Sequence, residues 1–153
     1  MAEPARLGES LRRLHELRVL EQFIPGITHA RGLLQFNAYH RYKVDEHSIR
    51  VVEHLTSFAD DRGTPGEVYR SIKDKATLHL AALLHDLGHG PYSHTFEAVL
   101  PGGRAHEDWT SQIILDPSTQ VHAVLREFDA QAPAAVERLI HGVCPIRHLA
   151  RAV

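Results

Sequence analysis

Hydrophobic side chains recur at helical spacing along most of the chain. Residues 7–23 place apolar positions three or four apart among charges, which predicts an amphipathic helix that ends before Pro25. A second apolar face predicts a helix from about 46 to 59, with Asp45 as its N-cap. Residues 67–87 are compatible with one further helix. The second half of that stretch is apolar nearly all round, so it belongs in the core.

Turn-forming residues divide these segments. Residues 60–66 predict a surface loop, and Gly88, Gly90 and Pro91 end the apolar helix. A short segment with apolar residues, 33–42, precedes the second helix. Alternating strand patterns are absent, so we predict an all-α fold. Further helices are predicted at residues 93–100, 106–115, 118–128 and 132–141.

Composition and charge narrow the classes of partner. The 153 residues carry 17 basic and 19 acidic side chains, a net charge of −2 that offers no general attraction for nucleic acid. Cys144 is the only cysteine, which excludes an internal disulfide and fits a reducing compartment. No signal-peptide pattern or membrane-spanning apolar stretch is present, so we expect a cytoplasmic protein without a membrane partner. The 13 histidines are the one unusual feature of the composition.

Several histidines fall in a pattern that suits a metal site. His85 and Asp86 close the apolar helix, and His47 lies in the first turn of the preceding predicted helix. Imidazole nitrogens and carboxylate oxygens are ligands for ions such as Zn²⁺, Mn²⁺ or Fe²⁺. Because adjacent helical residues point about 100° apart, another helix must contribute a ligand, and His47 is the obvious donor. The nearby histidines that could act on a phosphate are His89, His94 and His106.

Other interpretations of these residues remain open. His85 and Asp86 could form a capping pair bonded to backbone, and the remaining histidines could be ordinary surface or core residues. The segment His85-Asp86-Leu87-Gly88-His89 differs from a zinc-protease helix because Gly88 and Gly90 would break that helix. Phosphate-binding-loop and serine-hydrolase motifs are absent. We expect no special role for His15, His29, His122, His141 and His148.

His47 together with His85-Asp86 resembles the H…HD signature of the HD-domain superfamily of all-α, metal-dependent phosphohydrolases. Residues 11–88 resemble the HD domain of bifunctional PII uridylyltransferase/uridylyl-removing enzymes, through QFNAYHRYKVDEHS at 35–48 and DKATLHL at 74–80. Residues 85–142 resemble deoxynucleoside triphosphate triphosphohydrolases and their SAM-HD relatives, through HDLGHGPYSHTFE at 85–97 and HEDW at 106–109.

The resemblance implies roles for individual residues. His47, His85 and Asp86 would bind a divalent ion, whether Mn, Zn, Fe, Ni or Mg. His89 and His94 would line the phosphate and metal environment, and His106 would act as general acid. The whole chain, residues 1–153, would be a single HD-type helical bundle, with an N-terminal helix and linker at 1–30 and the HD core at 31–142.

The chain departs from the family pattern in three respects. The superfamily closes its metal site with a further Asp downstream, and only Asp116 and Asp129 are formally available. Uridylyl-removing enzymes normally carry Lys where His89 stands, and no nucleotidyltransferase motif precedes the HD region. These departures favour a fragment truncated at its C-terminus, or a chimera of the two branches, with an incomplete site.

We therefore expect hydrolysis of a phosphoester or phosphoanhydride, above all in a (deoxy)nucleotide. The expected partner is a nucleotide or another phosphorylated small molecule, and homo-oligomers are compatible with the family. One alternative is removal of uridylyl groups from a PII-type regulatory protein. Another is a module that binds metal or nucleotide without hydrolysing it. In a purely structural alternative, the histidines would only form hydrogen bonds in the core.

Overall fold

The computed structural model describes residues 6–33, 42–90, 93–99 and 103–141. Helices account for the regular structure of these residues, and no strand occurs among them, which confirms the all-α prediction. Most of the short segment predicted at 33–42, namely residues 34–41, lies outside the described part of the chain. The helices are α1 (Leu7–Glu16), α2 (Leu20–Phe23), α3 (Ile27–Ala30), α4 (Val44–Ser57), α5 (Thr64–Ser71), α6 (Lys75–Leu84), α7 (Ser93–Val99), α8 (His106–Leu115), α9 (Gln120–Phe128) and α10 (Ala132–His141).

The single helix predicted for residues 7–23 is wrong. The chain leaves the helical path at Arg18, whose φ of 58° is left-handed, and α2 starts after this turn. A right-handed helix cannot contain that conformation. The turn redirects the chain so that Leu20 is buried in the core.

The single helix predicted for residues 67–87 is also wrong, because it divides into α5 and α6. Asp74 caps α6, with its Oδ1 accepting the backbone N–H of Thr77 at 3.0 Å. The predicted loop at 60–66 is shorter than expected, since α5 already includes Pro65 in its first turn, where proline is tolerated.

Helix α4 begins one residue earlier than its predicted cap. Asp45 lies inside the first turn, after Val44, and does not act as the N-cap. Its Oδ1 accepts the backbone N–H of Glu46 at 2.9 Å, and its Oδ2 accepts that of Gly32 at 2.8 Å. The carboxylate therefore connects α4 to the turn that follows α3.

Helix α6 lies at the centre of the packing, as its apolar sequence predicts. It contacts α4 on one side and α10 on another, and α10 also packs on α8. No membrane-spanning candidate occurs among the helices of the described residues. The division into residues 1–30 and 31–142 stays a prediction. Side chains buried to 1 % exposure or less around α6 include Val51, Val52, Ala81, Ala82, Leu84, Ile114 and Val136.

Helix α8 holds the turn that follows α6. The fully buried Thr110 hydroxyl lies 3.0 Å from the carbonyl oxygens of His85 and His106, and it accepts the backbone N–H of Gly88 at 2.9 Å. A Cβ at Gly88 would lie 2.1 Å from the His106 carbonyl oxygen. Glycine is therefore required for this close approach. Beside Thr110, Trp109 is 45 % exposed, and the guanidinium carbon of Arg104 lies over its ring, 4.3 Å from the ring centre.

Replacing Asp74 by Ala should lower the free energy of unfolding by about 1 kcal/mol, because α6 loses its N-cap acceptor. Hydrogen bonds from Thr77 hold the pKa of Asp74 below its ordinary value of 3.8. The carboxylate therefore contributes fully above that value, and its contribution disappears as the pH falls through the lowered pKa. Urea denaturation at neutral and acidic pH measures both effects. Lys73→Ala, at the exposed neighbouring position, is the control; equal stability of Asp74→Ala and wild type at neutral pH would contradict the capping role.

Replacing Thr110 by Val keeps the side-chain shape but removes the hydroxyl that joins α8 to the turn after α6. Buried hydrogen-bonding groups at His85 and Gly88 would lose their partner, so we expect a loss of about 2–4 kcal/mol in unfolding free energy. Thr110→Ser keeps the hydroxyl and should lose about 1 kcal/mol. Thermal and denaturant unfolding compare the two variants, and a valine variant as stable as the serine variant would show that the hydroxyl bonds contribute little.

Candidate metal centre

The three predicted ligands lie together in the interior. His47 is in the first turn of α4, His85 is the C-cap of α6, and Asp86 is in the turn that follows. One potential ligand atom from each lies within 4.8 Å of the other two. His85 Nε2 is 3.2 Å from Asp86 Oδ1, and His47 Nε2 is 3.9 Å from Asp86 Oδ2. The convergence of two separate helices, expected from the sequence, is present.

The hydrogen bond of His85 leaves its second ring nitrogen available to a ligand. Its Nδ1 lies 2.8 Å from the carbonyl oxygen of Ala82, so that nitrogen carries the proton and donates it. With Nδ1 bonded in this way, Nε2 is the ring nitrogen that faces Asp86 and that a metal ion would use, as in many metal-binding histidines. This Nε2 and Asp86 Oδ2 are buried with no hydrogen-bond partner among the described residues. Buried polar atoms in this state are costly, and a divalent ion would satisfy both.

Two further histidines lie on the other side of Asp86. His89 Nε2 is 3.7 Å and His106 Nε2 4.0 Å from Asp86 Oδ1. The two rings stack at 3.8 Å with an angle of 13° between their planes. Together with Asp86 they form a second group whose ligand atoms lie within 4.8 Å of one another. The Asp86 carboxylate thus belongs to both groups.

Asp86 carries its negative charge at neutral pH. Burial disfavours the charged carboxylate, but the imidazoles of His85, His89, His47 and His106 more than offset this effect and hold the pKa of Asp86 below its usual 3.8. The centre therefore offers one anionic oxygen ligand surrounded by nitrogen donors. This donor set suits a divalent transition-metal ion.

Glu97 orients His106, a contact that the sequence reasoning missed. Its Oε1 accepts from the backbone N–H of His106 at 2.9 Å and lies 3.1 Å from the ring Nδ1. Glu107 Oε2 is 3.4 Å from the same nitrogen. The carboxylates hold Nδ1, so Nε2 is the nitrogen that faces Asp86. The position of Glu97 at the end of the histidine-rich run 85–97 was the feature of the sequence that could have indicated this contact.

The structure does not bring Asp116 or Asp129, the two aspartates formally available as a further ligand, to the centre. Asp116 accepts from the backbone and hydroxyl of Ser118 at 2.8 and 2.7 Å, and Asp129 accepts the backbone N–H of Gln131 at 2.7 Å. Both carboxylates close local turns after their helices. Neither belongs to a metal-compatible group among the described residues. His94 is the second residue of α7, and its side chain lies outside the described part of the chain.

The histidines without a predicted role have varied surroundings. His122 Nδ1 lies 2.9 Å from the carbonyl oxygen of Ile114, and His141 Nε2 lies 3.1 Å from that of Glu107, contacts that join helices. His29 is exposed. His15 differs from these because its Nε2 is 3.2 Å from Asp45 Oδ2, close to the centre. His148 lies outside the described residues.

The relatives of the chain are bacterial enzymes with two named activities. It is 35% identical over 92 residues to the "Bifunctional uridylyltransferase/uridylyl-removing enzyme" of Aliivibrio fischeri, 57% of this chain and 10% of that protein. The enzyme with this name from Vibrio cholerae is 37% identical, again over 57% of this chain and 10% of that protein. The enzyme with this name from Photobacterium profundum is 34% identical over 58% of this chain and 11% of that protein. The chain thus spans about a tenth of the length of these relatives.

No significant match was found among solved structures. The family model described as "HD domain" matches residues 44–139. That range runs from the first residue of α4 into α10 and contains every residue of both metal-compatible groups. This confirms the resemblance noted from the H…HD signature. Because the match covers more than half of its residues, the chain belongs to the HD-domain family.

Proposed function

We propose that the chain is a metal-dependent phosphohydrolase that binds a divalent cation through His47, His85 and Asp86. One observation carries the proposal: within the described part of the chain, His85 Nε2 and Asp86 Oδ2 are buried and have no hydrogen-bond partner, and both converge with His47. A folded interior keeps such atoms at a cost unless a ligand satisfies them. HD-domain membership supports the same chemistry.

The residues around the centre have different roles in the proposed hydrolysis of a phosphate group. When bound, a divalent ion supplies Lewis-acid polarisation of a phosphoryl oxygen and favours deprotonation of the attacking water. His106 is the candidate proton donor to the leaving oxygen, with Glu97 holding its Nδ1 and directing Nε2 toward the centre. His89, stacked on His106, is placed to hydrogen-bond a phosphate oxygen. His94 keeps its proposed place in the phosphate environment through the resemblance alone.

The proposed substrate is a (deoxy)nucleotide. Support comes from the run HDLGHGPYSHTFE at 85–97, which resembles the triphosphohydrolase branch. Within this run, His85 and His89 each belong to one of the two metal-compatible groups, and Asp86 belongs to both. In this reaction water adds to phosphorus and the ester or anhydride oxygen leaves with the proton from His106.

A second candidate is removal of uridylyl groups from a regulatory protein. The identities of 34–37% to uridylyltransferase/uridylyl-removing enzymes favour it. A third candidate, a module that binds metal or nucleotide without turnover, follows from the lack of a downstream Asp ligand among the described residues. The three candidates share the metal centre and differ in the product released.

Removing one of the proposed ligands should weaken metal binding. We expect His47→Ala and Asp86→Ala each to weaken Mn²⁺ binding by at least about tenfold, because a three-residue donor set loses one member. His54→Ala, in the same helix but beside Phe58, is the matched control and should bind as wild type does. Isothermal titration and metal analysis of the purified proteins measure the effect. Wild-type occupancy in both ligand variants would discard the proposed site.

Product analysis separates the three candidate functions. The metal-loaded chain is incubated with deoxynucleoside triphosphates and, separately, with a uridylylated PII-type protein. Dephosphorylated nucleoside products support the nucleotide hydrolase, whereas release of UMP supports the uridylyl-removing activity. Stoichiometric metal with neither product supports the binding module. Asp86→Ala serves as the negative control, and turnover by this variant equal to wild type would refute a metal-dependent mechanism.

A further inference from the structure

The amino-terminal helix lies outside the family match, yet it is bound closely to the helix that carries His47. The Arg12 guanidinium of α1 holds both carboxylate oxygens of Glu53 at 2.8 Å and also contacts Glu46 at 2.8 Å. Gly8 packs so tightly on Glu53 that a Cβ there would lie 2.4 Å from the Glu53 Cγ. Glu46 is in the first turn of α4, directly before His47. Two-point guanidinium binding of this kind fixes orientation as well as distance.

A second contact from α1 reaches further toward the metal centre. His15 Nε2 lies 3.2 Å from Oδ2 of Asp45, which is 7 % exposed. The other ring nitrogen, Nδ1, lies 3.3 Å from Arg31 Nη1, which also donates to the backbone carbonyl of His15 at 3.1 Å and to Glu21. Nε2 is thus the ring nitrogen that faces Asp45.

Asp45 stabilises the first turn of α4. Its two oxygens accept the backbone N–H groups of Gly32 and Glu46, while His15 approaches the same Oδ2 as Gly32. His47 follows two residues later in this turn. Because the direction of a side chain follows from its backbone, the contacts of Asp45 help to set the position from which the His47 ring enters the centre.

A small cavity extends from this pair to Asp86. Its polar lining residues are His15, Asp45, Ser48 and Asp86, and the rest of its wall is apolar. The volume of the cavity that the centre of a water molecule can occupy is about 10 Å³, so the cavity has room for about one water molecule. Ser48 lies one turn after Asp45 on the same side of α4. The wall of this cavity therefore connects Asp86 to groups that α1 contacts.

We propose that His15 and Asp45 are positioning residues of the metal centre, through which the amino-terminal helix sets the geometry of His47 and Asp86. Neither residue binds the ion. His15 contacts Asp45, and Asp45 orders the first turn of α4 and lines the cavity together with Asp86. The inference rests on the proposed binding of metal by His47, His85 and Asp86, and it assigns a function to a helix outside residues 44–139.

Mn²⁺ titration of the full chain, followed by electron paramagnetic resonance, tests the proposal. We expect His15→Ala to weaken Mn²⁺ binding by about tenfold, as for residues that orient metal ligands from outside the coordination sphere. His15→Gln places an amide N–H donor near the position of Nε2 and should restore binding to within about twofold of wild type. Leu14→Ala loosens the packing of the same helix without touching the pair, so it is the stability-matched control.

Each outcome decides the proposal. Weak binding in His15→Ala, with near-normal binding in His15→Gln and Leu14→Ala, supports it. Equal affinity in His15→Ala and wild type overturns it, as does equal weakening in His15→Ala and Leu14→Ala, which would reflect helix packing alone. If His15→Ala does not fold, Asp45→Asn replaces it and should show the same weakening; normal affinity there overturns the proposal. A wild-type chain that binds no Mn²⁺ refutes the proposed function first, and the inference with it.

Discussion

The charge on the Asp86 carboxylate must be compensated inside the protein, and the arrangement of the centre follows from that requirement. Moving a carboxylate into the interior costs several kcal/mol unless nearby groups stabilise it. Here imidazoles approach both of its oxygens, with His85 and His89 nearest to Oδ1 and His47 nearest to Oδ2. Of these imidazoles, His47 and His85 are also the ones that the proposed ion would use. The groups that compensate the charge of Asp86 thus include those that are positioned to bind a metal ion.

Three helices supply this arrangement in different ways. Helix α6 is apolar on nearly every face, so it lies in the core and carries His85 and Asp86 inward at its C-terminal end. Helix α4 packs beside it and contributes His47 from its first turn. Helix α8 contributes His106 and, through Thr110, holds the backbone after α6 in place. Buried backbone groups that need partners therefore connect the fold directly to the site.

Much of the helical pattern, and the convergence of His47, His85 and Asp86, could be predicted from the sequence. Apolar periodicity located most helices because burial of one face is the main source of helix stability in proteins. The two breaks that were missed, at Arg18 and at Asp74, lie within stretches whose composition suits a helix. The break at Asp74 depends on a local cap, and that at Arg18 on one left-handed residue. Such features hardly alter the spacing of hydrophobic residues, so the hydrophobic pattern does not reveal them.

The supporting contacts of the site were beyond sequence reasoning for a different reason. Thr110 meets the His85 carbonyl across 25 positions of the chain, and His15 meets Asp45 from a separate helix. No periodicity encodes pairs of this kind, because they arise only when helices pack. His15 looked ordinary for that reason. Glu97 was closer to prediction, since it ends the histidine-rich run and contacts His106 only nine positions later.

The location of Trp109 gives the molecule a natural optical probe. It is the chain's one tryptophan, half in solvent beneath Arg104 and adjacent in sequence to the threonine that holds the turn after α6. Any rearrangement of α8 against that turn would change the solvent contact and the neighbouring positive charge of a single fluorophore. The intensity and wavelength of its emission would therefore report on the state of the centre in unlabelled protein, without a background from other indole rings.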